Sequence, residues 1–358
     1  MRKIVTEKEI REMLERGEDP AALPADALLT PSARDLLNDT APVRQSSGAA
    51  AATPEEPAVP DDEYRWIPGA DPKTPEEIRR FFQSTEIERL KKRMCDIGRR
   101  IWEKDYVDGN GGNLTIRVGD NLVLCTPTLI SKGFMTPGDL CLVDLDGNQV
   151  AGTRKRTSEV NTHLGIMKRQ PKAKSCVHAH PPHATAFAVA SVRPPTCMIP
   201  EAEVFLGQIG LARYETPGTA ENARVVGEMG VDHQSILMEN HGVITWGRDI
   251  EDAYWKLENT DAYCRTLWVA SQLGAGLKSF GPEKLKDLIG IRKELGMDDK
   301  RADLRECELC DNQEFRPGVT CTIPDRVDGA AGTDPEAEKL VRVITDRIEE
   351  ALRRNEGV

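Results

Sequence analysis

Cys176-Val177-His178-Ala179-His180-Pro181-Pro182-His183 is the stretch on which the reading of this chain turns. A β-branched, apolar lead-in marks the end of a strand, and in a strand residues i and i+2 point to one face. His178 and His180 therefore offer two imidazole nitrogens to a single ion, and imidazole is a ligand that zinc takes readily alongside carboxylate. Taken alone, the pair is equally well read as two strand-end histidines hydrogen-bonded to neighbours. A metal needs a third nitrogen and a carboxylate from elsewhere in the chain.

Three other stretches supply those groups. Asn240-His241-Gly242 lies between two short β-branched runs, where a glycine behind a histidine allows close approach to an ion. Thr157-Ser158-Glu159 opens a helical pattern and places a carboxylate beside two hydroxyls and the free N–H groups of a helix start. Gly109-Asn110-Gly111-Gly112-Asn113-Leu114-Thr115 is a glycine-rich turn before a strand, suited to holding an anion on backbone donors.

Outward from these motifs the chain alternates helical and β-branched segments. Helix signals cover 78–102, and strands are expected over 114–118, 121–125 and 140–144, with a turn at Asp146-Gly147. A helix near Ser158, the strand ending at His178, a helix after Pro182 and strands over 235–238 and 243–246 follow. A long helix over 250–273 then carries Ala253, Leu257, Cys264, Leu267 and Ser271 on one face. Mixed hairpin and crossover connections imply a layered α/β domain on a mixed sheet. The domain is expected from Thr74-Pro75, a capped helix start, to about residue 280.

The flanks have another composition. Residues 1–40 read as two short amphipathic helices, one capped by Thr6 and Glu9, the other by Thr30 with Pro31 at its first position. Residues 41–73 form a linker rich in Ser, Gly, Ala and Pro. Residues 281–333 read as an irregular extension and second linker, and 334–358 as an amphipathic helix with Leu340, Val341, Ile344, Ile348 and Leu352 on one stripe.

The net charge of −11 argues against a general nucleic-acid binder, which needs a basic surface. No stretch approaches the ~18 apolar residues of a spanning helix, and the charged N-terminus is unlike a secretory signal. Nine cysteines, an odd number at irregular spacing, are expected as reduced thiols in a cytoplasmic protein. Cys307, Cys310 and Cys321 lack a fourth ligand for a tail metal site, since no histidine follows His241.

The blocks Gly112-Asn113-Leu-Thr115, Thr126-Pro-Thr128, Thr157-Ser158-Glu159, His178-Ala-His180 and Asn240-His241-Gly242 occur in the order and approximate spacing of the class II aldolase/adducin family, which the chain resembles over residues 80–273. The resemblance implies a three-layer α/β/α fold with a central mixed, largely antiparallel sheet. It implies a Zn2+ ion on His178, His180, His241 and Glu159, with Glu159 also the general base. It places the phosphate of a sugar phosphate on Gly112, Asn113, Thr128, Thr157 and Ser158, and it implies a homotetramer with sites at subunit interfaces. His163 and His183 fall outside that ligand set.

The implied activity is retro-aldol cleavage of a deoxyketose 1-phosphate, L-fuculose 1-phosphate or L-rhamnulose 1-phosphate, to dihydroxyacetone phosphate and lactaldehyde. An epimerase, dehydratase or decarboxylase on the same metal site is the alternative, and an adducin-like protein without catalysis is the rival of another class. Two departures from the family stand out. Leu129 occupies the position where its aldolases usually have glycine, and Ile199 that of their proton-transferring tyrosine. No tyrosine occurs between residues 185 and 213, so Glu201 and Glu203 are the expected proton donors. The terminal helices are similar to the peptides that direct enzymes into bacterial microcompartments, which suggests shell or companion enzymes as partners.

Overall fold

The computed structural model describes residues 64–304 and a few positions between Ile4 and Leu29. The chain divides into two compact units, Met1–Pro57 and Ala58–Val358. In the first, β1 (Ile4–Val5) and β2 (Leu28–Leu29) pair in parallel, and Val5 is buried. Glu9, Glu12 and Met13 are helical, in the span of the first expected helix. The strand pair was not expected, because two-residue strands have no periodicity to read. The expected helix after Thr30, the tail helix over 334–358 and the tail cysteines lie outside the described residues.

In the second unit the expected helix over 78–102 is two helices, α1 (Pro75–Phe82) and α2 (Thr85–Glu103). Thr74 and Glu77 cap α1 reciprocally, and the Ser84 hydroxyl accepts from Ile87 N to restart the chain as α2. The strands are β3 (Asn113–Arg117), β4 (Leu122–Cys125), β5 (Cys141–Asp144), β6 (Gln149–Ala151), β7 (Ser175–Ala179), β8 (Gly210–Ala212), β9 (Ser235–Met238) and β10 (Gly242–Gly247). They form one sheet in the order β6-β5-β4-β3-β7-β10-β9-β8, antiparallel throughout except for the β8–β9 pair. The other helices are α3 (Val160–Arg169), α4 (Pro182–Val189), α5 (Pro200–Phe205), α6 (Ala220–Met229), α7 (Ile250–Ser271) and α8 (Pro282–Glu294).

Alternation along the strands divides the apolar residues between two cores. Leu114, Ile116, Leu124, Leu142, Val177 and Val243 join Ile97 and Ile101 of α2 and Leu257 of α7 on one face. Val123, Cys125, Val143, Cys176, Ile236 and Ile244 meet Leu164 of α3 and Val226 of α6 on the other. This is the three-layer arrangement, with a mixed and largely antiparallel sheet. β6, β8, α5 and α6 went unread in the sequence: the first three are short, and Ala220–Met229 is too polar to show a strong stripe.

One expectation is corrected. The chain from residue 281 is not irregular: α8 and a 3-10 turn, Lys300–Asp303, continue the fold. Leu285 and Ile289 are buried against Cys197. Arg292 donates to Val204 O at 2.8 Å and pairs with Asp299 at 3.3 Å, while Arg301 pairs with Glu203 at 2.7 Å. Polar anchoring of this kind carries no hydrophobic pattern, so it is invisible to periodicity. The cysteine expectation is corrected too: Cys95, Cys125, Cys141, Cys176 and Cys264 are free and buried, but Cys197 is disulfide-bonded. Composition does not reveal which thiols a fold brings together.

Candidate active site

β7 lies between β3 and β10 and runs antiparallel to both, so the site is built at one end of three neighbouring strands. His178 is in register with Asn113 of β3 on one side and Ile244 of β10 on the other. His180 follows the end of β7, and His241 immediately precedes β10. Asn240, at φ 52°, turns the chain through the left-handed region that Asn tolerates better than most residues, and this brings His241 back over the strand ends. A Cβ on Gly242 would lie 2.6 Å from Ala179 O and 2.7 Å from His180 Cδ2. The glycine of Asn-His-Gly is what lets β10 pack this closely against His-x-His.

The three rings converge. Ligating nitrogens of His178, His180 and His241 all lie within 4.8 Å of one another, and the Nε2 atoms of His178 and His180 are 3.2 Å apart. His178 is fully buried, and its Nδ1–H donates to Val243 O at 2.8 Å, which leaves the Nε2 lone pair facing the cluster. Burial, followed by the neighbouring His241 and His180, holds the His178 pKa well below the usual imidazole value. Burial brings His241 down to about 4. Neutral imidazoles are the form that binds a metal. His180 Nδ1 faces Asp108 Oδ1 at 3.3 Å, a carboxylate that orients the third ring.

Glu159, the residue before α3, completes the group. Its Oε2 is 3.5 Å from His178 Nε2 and 3.7 Å from His241 Nε2. Burial raises its pKa, opposed by the His180 charge, a hydrogen bond from Asn113 and the Lys132 ammonium. A carboxylate in that environment is suited to exchanging a proton.

The residues expected to hold phosphate come from loops that are laced together. Thr128 N donates to Lys155 O and Thr157 N to Thr126 O, both at 3.0 Å, and Pro127 bridges Arg156. Thr128, Thr157 and the exposed Ser158 therefore share one edge of the site. Gly112 takes φ 72°, and a Cβ there would lie 2.6 Å from a Val107 methyl and 3.0 Å from His178 O. Leu129 stands at φ 56° and is 81% exposed. The left-handed turn that suits glycine is thus kept with a leucine in place.

Sequence reasoning missed Lys132. It is buried, and its Nζ donates to Ile130 O at 2.7 Å and Asn110 O at 3.0 Å, tying the Thr-Pro-Thr loop to the glycine-rich turn. Burial pulls its pKa down to about 8, against the favourable Glu159 charge. A single lysine in a loop carries no pattern that announces burial. Asp108 was also missed; its place one residue before the glycine-rich turn was the only cue.

The remaining titratable candidates separate cleanly. His163 is fully buried on α3, 2.9 Å from Thr115 Oγ1, and burial lowers it to about 3. His183 pairs with Asp261 at 3.0 Å, outside the cluster. Glu203 is buried on α5, accepts from Cys197 N and pairs with Arg301. Glu201, on the first turn of α5, is exposed.

A mixed sheet whose central strand ends gather three histidines and a carboxylate defines a metal-dependent α/β enzyme. The sequence profile described as the class II aldolase and adducin N-terminal domain matches residues 92–268. An L-fuculose phosphate aldolase of Methanococcus maripaludis is 38% identical over 177 residues, which span 49% of this chain and 95% of that protein. A 3-oxo-tetronate 4-phosphate decarboxylase of Haemophilus influenzae is 29% identical over 202 residues, 55% of this chain and 95% of that one. A solved L-fuculose 1-phosphate aldolase shares the fold with a TM-score of 0.53 at 23% identity, covering 60% of this chain and 98% of its own. The chain belongs to the class II aldolase family. It is an aldolase-type lyase in a family that depends on metal. Among the described residues no helix is long and apolar enough to cross a membrane.

Proposed function

We propose that this enzyme cleaves a deoxyketose 1-phosphate, L-fuculose 1-phosphate or L-rhamnulose 1-phosphate, to dihydroxyacetone phosphate and lactaldehyde, with Zn2+ on His178, His180, His241 and Glu159. The observation that carries the reading is the convergence of three imidazoles with a carboxylate 3.5 Å and 3.7 Å from two of them. Three nitrogens and a displaceable oxygen form the donor set of a catalytic zinc site. When bound, the ion stabilises negative charge on the substrate oxygens. The chain's own residues do the rest. Gly112, Asn113, Thr128, Thr157 and Ser158 seat the phosphate. A base takes the C4 hydroxyl proton as the C3–C4 bond breaks and the aldehyde departs. Glu159 returns a proton to C3 of the remaining enediolate.

Glu201 is the candidate base at the C4 hydroxyl, on the strength of its exposure, and it acts from a neighbouring subunit in a homotetramer. Glu201→Gln is expected to lower kcat by about 10²-fold or more with metal content unchanged. The decisive assay is retro-aldol cleavage of L-fuculose 1-phosphate, L-rhamnulose 1-phosphate and L-ribulose 5-phosphate, with zinc measured by mass spectrometry. Cleavage of neither deoxyketose would move the assignment to a decarboxylase, a reading favoured by the relative from Haemophilus influenzae. That reaction also breaks a carbon–carbon bond and leaves an enediolate at the same place.

The domain boundaries belong to the same proposal: a catalytic domain from residue 74, extended past 280 to include α8, between terminal segments over 1–73 and 334–358. The amphipathic pattern of those segments supports cytoplasmic residence inside a bacterial microcompartment. Co-purification of shell proteins with the full chain, and not with one lacking both segments, is the expected result.

A further inference from the structure

A second cavity, of about 810 Å3, lies at the other end of the sheet and on its other face. It opens beside Ser175, where β7 begins, whereas the histidines gather where β7 ends. Three residues of strand, about 10 Å, separate Ser175 from His178. The walls come from the ends of β3 and β7, from Leu90 of α2 and from the start of α7 at Ile250. Its roof is the segment Tyr64–Pro68, which precedes the region matched by the family.

The roof is fastened. Tyr64 Oη donates to Val118 O at 2.9 Å and Trp66 Nε1 to Asp120 Oδ1 at 2.8 Å, while Asp71 accepts from Asp120 N and Asn121 N. The lining mixes aromatic and apolar residues, Trp66, Tyr64, Leu90, Ile116 and Ile250, with cations, and Lys174 and Arg117 lie 4.3 Å and 5.5 Å over the Trp66 ring. The lining cations are Arg65, Arg117, Lys174 and Arg248, the last of them 3.8 Å from Asp252, and the lining carboxylates are Asp120 and Asp249. Asp120 already accepts from Trp66 and Gly69, and Asp249 caps α7 by accepting from Asp252 N.

The cations are incompletely answered. Arg117 donates only to the carbonyls of Gly119, Asp120 and Met167. The Lys174 ammonium lies 4.3 Å over the Trp66 ring and has no hydrogen-bond acceptor or ion-pair partner among the described residues. Ser175, one of the lining residues, is fully buried, and its Oγ also has no partner among them. Unpartnered buried polar groups in native proteins call for an explanation, and a ligand is one.

We propose that this cavity binds a phosphate monoester with a planar, apolar body, at a site separate from the metal centre. With Arg248 answered by Asp252, one positive charge remains in excess, which suits the anion of a phosphate monoester, and the volume suits a molecule of nucleoside monophosphate size. Lys174 meets the phosphate, and the planar body lies among Tyr64, Leu90, Ile116 and Ile250.

Titration calorimetry of the full-length, zinc-loaded enzyme with AMP, ribose 5-phosphate and adenosine tests this. AMP is expected to bind with one site per chain, and ribose 5-phosphate and adenosine each at least tenfold more weakly. Lys174→Ala should weaken AMP at least tenfold and leave basal retro-aldol activity unchanged; Lys174→Arg, which keeps the charge, should restore binding. Thr128→Ala, at the catalytic phosphate seat, should leave AMP binding intact. Absence of AMP binding to the wild type overturns the proposal. So does AMP binding that survives Lys174→Ala and is lost in Thr128→Ala, since the anion would then sit in the catalytic site.

Discussion

Lys132 should give this enzyme a pH-dependent stability that a single substitution removes. Its side chain is 1% exposed, and burial lowers its pKa from 10.5 to about 8. A shift of that size means the folded state holds the charged form at a cost of about 3 kcal/mol relative to the unfolded chain. The sign follows from proton binding. Between about pH 8 and 10.5 the unfolded chain keeps the proton that the folded one has released, so stability rises with pH through that window. Between pH 7 and pH 9.5 the contribution is about 2 kcal/mol. Other lysines, tyrosines and cysteines titrate in the same range, so the quantity to measure is a difference. Urea unfolding of wild type and Lys132→Met at both pH values should show wild type gaining about 2 kcal/mol relative to the variant as pH rises. Parallel pH dependence in the two proteins would refute the reasoning, because it would mean that the ammonium is solvated in the folded state. The same variant frees Asn110 O and Ile130 O, which lie in the two loops of the phosphate seat, so KM is expected to rise more than kcat falls.

Three further outcomes follow from the geometry. Gly242→Ala places a methyl 2.7 Å from His180 Cδ2, and the displaced ring should cost at least about tenfold in bound metal, read by mass spectrometry beside an unchanged circular dichroism spectrum. Leu129→Gly removes a left-handed strain of about 1–2 kcal/mol, offset by about 0.5–1 kcal/mol of unfolded-state entropy, so a small rise in Tm is expected; a fall would show that the exposed leucine makes contacts in the assembly. Arg301→Met leaves the Glu203 carboxylate buried without its partner, at a cost of about 3–5 kcal/mol, read as a fall in Tm.

The metal half of the site was readable because its geometry is local. His178 lies on β7 and His180 directly follows its end, two positions on, so the alternation that sets the first ring carries over to the second. His241 needed only that a strand begin directly behind it, which Gly242 and the β-branched residues after it announce. Glu159 follows two hydroxyl residues at a helix start, a pattern fixed by capping. Lys132 differs: what matters is that Nζ reaches the carbonyl of Asn110, a contact across 22 positions that no spacing foretells. The helix after residue 281 went unread for the same reason, since Arg301 holds Glu203 through charge and not through an apolar stripe.

That ion pair also bears on the half of the site left open when Ile199 replaced a tyrosine. Glu201 and Glu203 are equivalent in sequence: the same residue type, two positions apart, on one short helix. On a helix, residues two apart point to different sides, so a fold that buries one exposes the other. Glu203 faces inward to Cys197 N and Arg301, and its removal is a matter of stability. Glu201 faces outward, as a residue must if it is to reach the site of another subunit. The choice between two like carboxylates is therefore made by what the C-terminal extension brings to α5. A segment outside the family match, read in the sequence as irregular, thus decides which of the two carboxylates is buried.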